Sequence, residues 1–405
     1  MTTRQEFSAL IPVDEAVEQL LADARLLAEP EMIRLETARD RVLAEPLIAP
    51  CDVPGWDNSA MDGYALQSAY TAVDPVWLQL SGKAAAGYQP EPLQNGHVMR
   101  ILTGAPLPEG ADAVVPQEDC SVEEGRVQVP LVRAGQHVRR RAEEWSKGET
   151  VLQAGVRLAP QHLGLLASLG VDQVPVYRPL RVGLVCSGDE LCEPGQPLGP
   201  GQLYNSNRYS VASTLSAWGF DVHVLPTLPD QLEATCTALQ NAAQECDVLI
   251  STGGVSVGDE DHLKEAVRRV GQLNLWRLAI QPGKPFAYGY VEKCPWLGLP
   301  GNPAAAWITL LVVARPYLLR VQGIEQVLPL TLTLQAGFCW DKPSVRRQYL
   351  RACIEQGNRV QLHPQQSSAM LKAAAWAQGL VIIERQETVE PGQPVRFLPF
   401  GGLLD

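Results

Sequence analysis

The chain has 405 residues, room for roughly two to four domains that each bury a core. Its hydrophobic share of 46% is that of an ordinary globular protein, and its formal charge of −12 argues against nucleic acid as the main partner, because phosphate-backbone binding needs a basic face. It has no run of about 18 uncharged apolar residues, so no membrane span is expected; the opening MTTRQEFSAL lacks a signal peptide's apolar core, which makes the cytoplasm the expected compartment.

In chain order, residues 12–28 read as an amphipathic helix, with apolar positions 13, 17, 20, 21, 24 and 27 on one face and Asp14 and Glu15 in the first turn. A second helical stretch is expected near 35–44. Residues 50–145 change character: short β-rich runs at 76–80, 98–102 and 113–116 are separated by Gly and Pro turns. A helix returns at 161–169. The pattern predicts a β-rich domain, 49–145, inserted into a discontinuous helical linker domain, 1–48 and 146–178.

Beyond it, strands at 181–186, 221–225, 247–251, 286–290 and 296–299 alternate with helices at 206–218, 231–245, 260–270 and 303–321. This is the signature of a doubly wound α/β domain, placed at 179–328. Short strands at 330–336, 349–354, 359–363, 380–384 and 395–398 then predict a β-barrel-like domain over 329–405. The fold class is therefore multidomain α/β plus β.

Three of the α/β strands run into polar loops. Asp247–Val–Leu–Ile250 leads into Ser251–Thr–Gly–Gly–Val–Ser–Val–Gly–Asp–Glu–Asp261. Its glycine pair lets backbone approach a ligand, and the amides opening the next helix suit an anion. Asp259, Glu260 and Asp261 would repel a bare phosphate, so a divalent cation or a cationic wall is implied. The other two loops are Ser187–Gly–Asp–Glu190 and Pro300–Gly–Asn–Pro303. Each alone also reads as a helix cap or a tight turn. In a parallel sheet, however, strand C-termini share one edge, so the three are expected to line one crevice.

Local basic residues at Arg139–Arg141, Arg346, Arg347, Arg351 and Lys284 leave room for a small anionic substrate despite the global charge. The nine cysteines contain no C-x-x-C pair, and the six histidines form no cluster. Buried thiols are expected, with neither a zinc site nor a Ser/His/Asp triad.

Together with the three loops, Val53–Pro–Gly–Trp–Asp–Asn–Ser–Ala–Met–Asp–Gly–Tyr–Ala65, Leu102–Thr–Gly–Ala–Pro–Leu–Pro108 and Arg139–Arg–Arg141 resemble the molybdopterin molybdenumtransferase family, which includes bacterial MoeA and the gephyrin E domain. The resemblance runs from about residue 12 to the C-terminus. Adenylyltransferase relatives share the Thr–Gly–Gly loop but lack the upstream segment. The resemblance implies that the α/β domain binds molybdopterin. It also implies an elongated homodimer that inserts molybdenum from molybdate into adenylylated molybdopterin, with release of AMP and assistance from Mg2+.

By the same resemblance, Glu190, Asp230 and Asp261 hold the cation, and Lys284 neutralises charge as phosphate leaves. Gly253, Gly254 and Ser256 cradle phosphate, while Pro300, Asn302 and Pro303 shape the substrate loop. Arg346, Arg351, Ser367 and Ser368 lie near the oxyanion. Asp62 and Thr103 complete a composite site in the partner subunit; on its own, Asp62 beside Gly63 reads as a turn cap. A molybdopterin adenylyltransferase and other cofactor-synthesis proteins are the implied delivery partners.

Several positions depart from the family pattern. Gln281 and Arg277 stand where lysines are expected, Ala142–Glu143–Glu144 replaces Gly–Glu–Asp, and Asn205 replaces a common Asp. These changes bear on affinity and metal preference more than on reaction class. Restoring a lysine at Gln281 is expected to strengthen oxyanion binding.

Overall fold

The computed structural model describes residues 10–73, 75–228, 231–255 and 262–404. Its centre is a six-stranded sheet in the order Asp221–Val224, Arg181–Cys186, Val248–Thr252, Cys294–Leu299, Pro285–Val291, Gly271–Arg277. The first four strands are parallel, in registers such as Val182 with Val248 and Leu249 with Trp296. The last two are antiparallel. The doubly wound class therefore holds, with an antiparallel edge. Gly271–Arg277 was not expected as a strand, although Gln272–Leu273–Asn274–Leu275 alternates polar and apolar residues as a half-buried edge strand does.

Side-chain alternation assigns each face of the sheet its own core. Leu184, Ile250 and Leu297 pack with Val211, Leu215, Ile308 and Leu311 from helices Ser206–Ala217 and Pro303–Val321. Val185, Leu249 and Trp296 pack on the other face with Leu239, Leu263 and Val267 from helices Leu232–Glu245 and His262–Val270.

Pro303–Val321, 19 residues long with a mean hydropathy of 1.4 over an 18-residue window, is long and apolar enough to cross a membrane, yet 89% of that window is buried inside the protein. It is a core helix, and its interior carries Arg315 and Pro316. The π-turn Leu310–Ala314 ends one residue before that proline, which cannot donate a backbone hydrogen bond.

Two expectations for the N-terminal part change. The first helix is Val13–Asp23, not 12–28: Ala24 turns extended at φ −64° and ψ 125°, and the Leu27 amide bonds to the Val321 carbonyl at 2.9 Å. Tertiary pairing captures the tail of the apolar stripe. The expected helix at 35–44 is only a 3-10 turn, Leu35–Thr37, followed by strand Val42–Leu43. Asp40 sits at φ 64°, which stops a right-handed helix, and both strand residues are buried against Gln173–Tyr177. Pro30–Arg34 pairs on the other side of Gln173–Tyr177. The later helix, Pro160–Ser168, lies within a residue of expectation.

Between these parts, the β-rich segment forms a six-stranded sheet that includes Val76–Ala84, His97–Ile101 and Ala113–Pro116. At its strand Gly63–Leu66, a Cβ on Gly63 would stand 1.9 Å from the Val115 carbonyl oxygen, so only glycine fits beside Asp62.

The C-terminal strands Arg347–Glu355, Arg359–Leu362, Leu332–Ala336, Pro394–Pro399 and Gly379–Ile383 close on themselves as a barrel. One added strand, Ile280–Gln281 from the α/β part, pairs in parallel with Arg347 and Gln348. Arg347 reinforces this seam, reaching Asp14 at 2.6 Å and Glu384 at 2.9 Å.

Candidate functional site

The C-terminal ends of the parallel strands open into a cleft of about 1140 Å3. All three strand-end loops line it: Ser187, Gly188 and Glu190 from the first, Gly253 and Gly254 from the second, and Pro300 to Pro303 from the third. The loops touch one another. The Gly253 amide bonds to the Leu299 carbonyl at 3.1 Å, and a Cβ on Gly301 would stand 3.6 Å from the Gly253 Cα. Gly253 at φ 83° and Gly254 at φ 68° are both left-handed, a run of conformations that glycine adopts without strain. Ser256, Asp261 and Asp230 lie outside the described residues.

Two more walls come from the barrel seam. The Ile280–Gln281 strand ends in Pro282, Gly283 and Lys284, which line the cleft. Gly283 lies so close to the long helix that a Cβ would stand 2.2 Å from Thr309 Oγ1. Lys284 is half-buried and has no carboxylate partner among the described residues. Arg346, Ser367 and Ser368 line the barrel side. The Ser368 carbonyl accepts the Ala304 and Ala305 amides at 3.0 and 3.2 Å, and Asn302 Nδ2 donates to Ser368 Oγ at 3.3 Å. The start of the Pro303–Val321 helix is therefore satisfied by the barrel and is not an anion seat.

Two expectations change here. Arg351 does not line the cleft. It is 0% exposed, and its Nη2 donates to the Ser367 carbonyl at 3.0 Å, so it braces the serine loop from behind. Burial pulls its guanidinium down to about 10. Gln281 is the partner of Arg346, whose Nη2 donates to Gln281 Oε1 at 3.3 Å. A lysine there would set two cations side by side, so its expected benefit to oxyanion binding is offset by repulsion.

Asp62 and Thr103 are brought together with each other but not with their own chain's cleft. Asp62 Oδ1 accepts from the Thr103 amide at 2.7 Å and from its hydroxyl at 2.8 Å. These bonds hold the exposed Asp62 carboxyl below the usual carboxylate range. Nearby, Arg140 pairs with Asp57 and Arg141 with Asp52, each at 2.6 Å, so two of the three consecutive arginines are internal ties. Ala142, where the family pattern has glycine, sits at φ 59°.

Among the described residues, no group of three or more His, Cys, Asp or Glu side chains is arranged to hold a metal. Glu190 presents a hard carboxylate at the cleft, folded over Gly188, where a Cβ would stand 2.4 Å from Glu190 Oε2. Sequence reasoning did not select Tyr204 or Asn207 as site residues, yet both line the cleft, as does Asn205. The available signal was the turn-rich run Pro194–Gly–Gln–Pro–Leu–Gly–Pro–Gly201 after the first loop, which marks a long excursion at the sheet's binding edge.

Comparison with known proteins gives matches along most of the chain. Residues 11–170 match the family model described as MoeA N-terminal region (domain I and II), 183–320 that of a probable molybdopterin binding domain, and 333–400 that of the MoeA C-terminal region (domain IV). A molybdopterin molybdenumtransferase of Haemophilus influenzae is 37% identical over 98% of this chain and 100% of its own length. One from Synechococcus elongatus is 36% identical over 95% and 98%. The crystal structure of a molybdopterin biosynthesis MoeA protein from Pyrococcus horikoshii OT3 superposes with a TM-score of 0.85 at 25% identity, covering 96% of this chain and 100% of that one.

Proposed function

The chain belongs to the MoeA family of molybdopterin molybdenumtransferases, and from that premise we propose that it inserts molybdenum from molybdate into adenylylated molybdopterin, releasing AMP, in the last step of molybdenum cofactor synthesis. The observation that carries this reading is the convergence of the three strand-end loops with Lys284, Arg346, Ser367 and Ser368 on one cleft. Molybdate is a tetrahedral dianion. Arg346 and Lys284 offer cations, and Ser367 and Ser368 offer hydroxyl donors, which is the donor set such an anion needs. Gly253 and Gly254 let a phosphate approach the backbone.

In the reaction the phosphoanhydride bond to AMP breaks and negative charge grows on the departing phosphate. Lys284 neutralises that charge in a site partly shielded from water. Glu190, with Asp230 and Asp261, would hold Mg2+; Glu190's exposed oxygens are the hard donors this ion takes. Bound there, the ion would supply further charge neutralisation.

The working form proposed is a homodimer. Asp62 and Thr103 stand outside the cleft of their own chain, and a second copy would bring them to it. The proposed domains are 1–48 with 146–178, 49–145, 179–328 and 329–405. The proposed compartment is the cytoplasm, with a molybdopterin adenylyltransferase delivering substrate. Purified protein, adenylylated molybdopterin and molybdate test the reading. AMP release that depends on molybdate and consumes no ATP is expected. ATP-dependent adenylylation of molybdopterin would instead make this an adenylyltransferase.

A further inference from the structure

In the barrel, the pairing of strand Arg347–Glu355 with strand Arg359–Leu362 runs from Glu355 with Arg359 to Ala352 with Leu362. There it stops, because the chain turns away into the loop 363–370 that carries Ser367 and Ser368. The next residue of the long strand is the fully buried Arg351, and a buried backbone group left without a partner is costly. The His363 amide reaches the Arg351 carbonyl at 3.0 Å. The side chain of Gln366 supplies what the lost strand would have supplied. Its Oε1 accepts the Arg351 amide at 3.0 Å, and its Nε2 donates to the Arg351 carbonyl at 3.0 Å and to the His363 carbonyl at 2.9 Å. Gln366 lines the cleft, yet both hydrogens of its amide nitrogen are committed to backbone, so it holds the loop and does not read a ligand.

The loop is therefore fixed at both ends. On the barrel side it is held by Gln366 and by the bond from Arg351 Nη2 to the Ser367 carbonyl at 3.0 Å. On the sheet side the Ser368 carbonyl accepts the Ala304 and Ala305 amides. Between these anchors, Ser367 Oγ accepts the Ala369 amide at 3.4 Å and Ser368 Oγ accepts Asn302 Nδ2 at 3.3 Å. Each hydroxyl oxygen already accepts, and neither hydroxyl donates to a described residue, which leaves both protons for an acceptor in the cleft.

We propose that Gln366 is a positioning residue of the reaction: by standing in for the missing strand partner of Arg351, its amide sets where the Ser367 and Ser368 hydroxyls meet the oxyanion. The inference rests on the functional reading above, which gives those hydroxyls to molybdate. Donors held in place bind an anion without first having to be ordered. With Gln366 released, the anion must order the loop itself. That weakens molybdate binding and leaves the bond-breaking step intact.

The test is steady-state AMP release by the full chain, titrated in molybdate and separately in adenylylated molybdopterin. Gln366→Leu removes all three bonds at similar size. It should raise KM for molybdate about tenfold, with kcat and KM for adenylylated molybdopterin staying within about twofold. Gln366→Asn keeps the amide on a shorter stem and should raise the same KM by a smaller factor; it carries the test if Gln366→Leu folds poorly. Gln365→Ala, at the exposed neighbour, should change nothing. Replacing Ser367 and Ser368 together by alanine should also raise KM for molybdate, and adding Gln366→Leu to that pair should raise it no further, because Gln366 acts through those hydroxyls. A merely structural role would lower kcat, through loss of active protein, at unchanged KM. That result, or an unchanged molybdate KM in both Gln366 variants while the serine variant raises it, overturns the inference and leaves the functional reading standing. If the serine variant also leaves KM unchanged, or if AMP release by the unaltered protein does not depend on molybdate, the functional reading falls and the inference falls with it.

Discussion

The two sides of the cleft are built by different rules. On the α/β side, each loop follows a buried parallel strand, and the sheet itself brings the loop tips together. On the barrel side, Lys284 and Arg346 meet because a two-residue strand crosses from one region to pair with the start of another, over sixty residues later. The first arrangement follows from local sequence plus a fold rule. The second depends on one long-range pairing that nothing local announces. The contrast predicts that the loops tolerate polar change that preserves glycine, whereas the seam fails as a unit when its close approaches are filled.

The largest effect should come from outside both walls. Asp62→Ala is expected to abolish cofactor synthesis without unfolding, since its carboxylate is exposed and, among the described residues, bonds to Thr103 alone. Complementation of a deficient strain, with circular dichroism as control, checks this, and full complementation would contradict it. Mixing Asp62→Ala chains with Lys284→Ala chains should then restore part of the activity in verified heterodimers. No recovery would mean that each site is built within one chain.

Lys284→Ala comes next. It leaves the fold alone but removes one of the two cations that the seam offers the cleft, and turnover should drop on the order of a hundredfold. Normal turnover would reduce the seam loop to a structural turn.

Smaller, and read in stability, is Gly283→Ala. With φ at 108° and Thr309 Oγ1 only 2.2 Å from the new Cβ, a loss of about 2 kcal/mol or more is expected in urea unfolding. An unchanged midpoint would show that the seam adapts more freely than its packing suggests.

The smallest change is favourable. Ala142→Gly removes a left-handed alanine at φ 59° and should raise stability by about 0.5–1 kcal/mol, visible as a higher Tm. A lower Tm would mean that the Ala142 methyl packs better than its backbone strain costs.

What the sequence made legible follows the same division. Glycines 253 and 254, Glu190 and the Pro300–Pro303 turn were readable because strand, turn and helix signals bracket them within a few residues. Arg346 and Lys284 stood out in the sequence as local basic residues, but nothing local placed them together in one site. Arg351 was misplaced for a related reason: an arginine code does not say whether its side chain faces a cleft or braces a loop from beneath, and here strand register buries it. The helix expected at 35–44 failed because pairing of Val42 and Leu43 with Gln173–Tyr177, far along the chain, outweighs local propensity. Tyr204 and Asn207 flank Asn205, the one position of that run weighed against the family pattern, and neither was selected; their place became visible only when the ribbon of Leu191–Cys192 and Leu203–Tyr204 folded over the sheet edge.

The central claim is that loops from the sheet and residues from the barrel seam form one oxyanion site. Diffraction from crystals soaked in molybdate, recorded at the molybdenum absorption edge, tests it directly. The account predicts a single anomalous peak in the cleft, within contact of Lys284 and Arg346 and beside Ser367 and Ser368. A peak elsewhere on the chain, with that corner of the cleft empty at saturating molybdate, would contradict it.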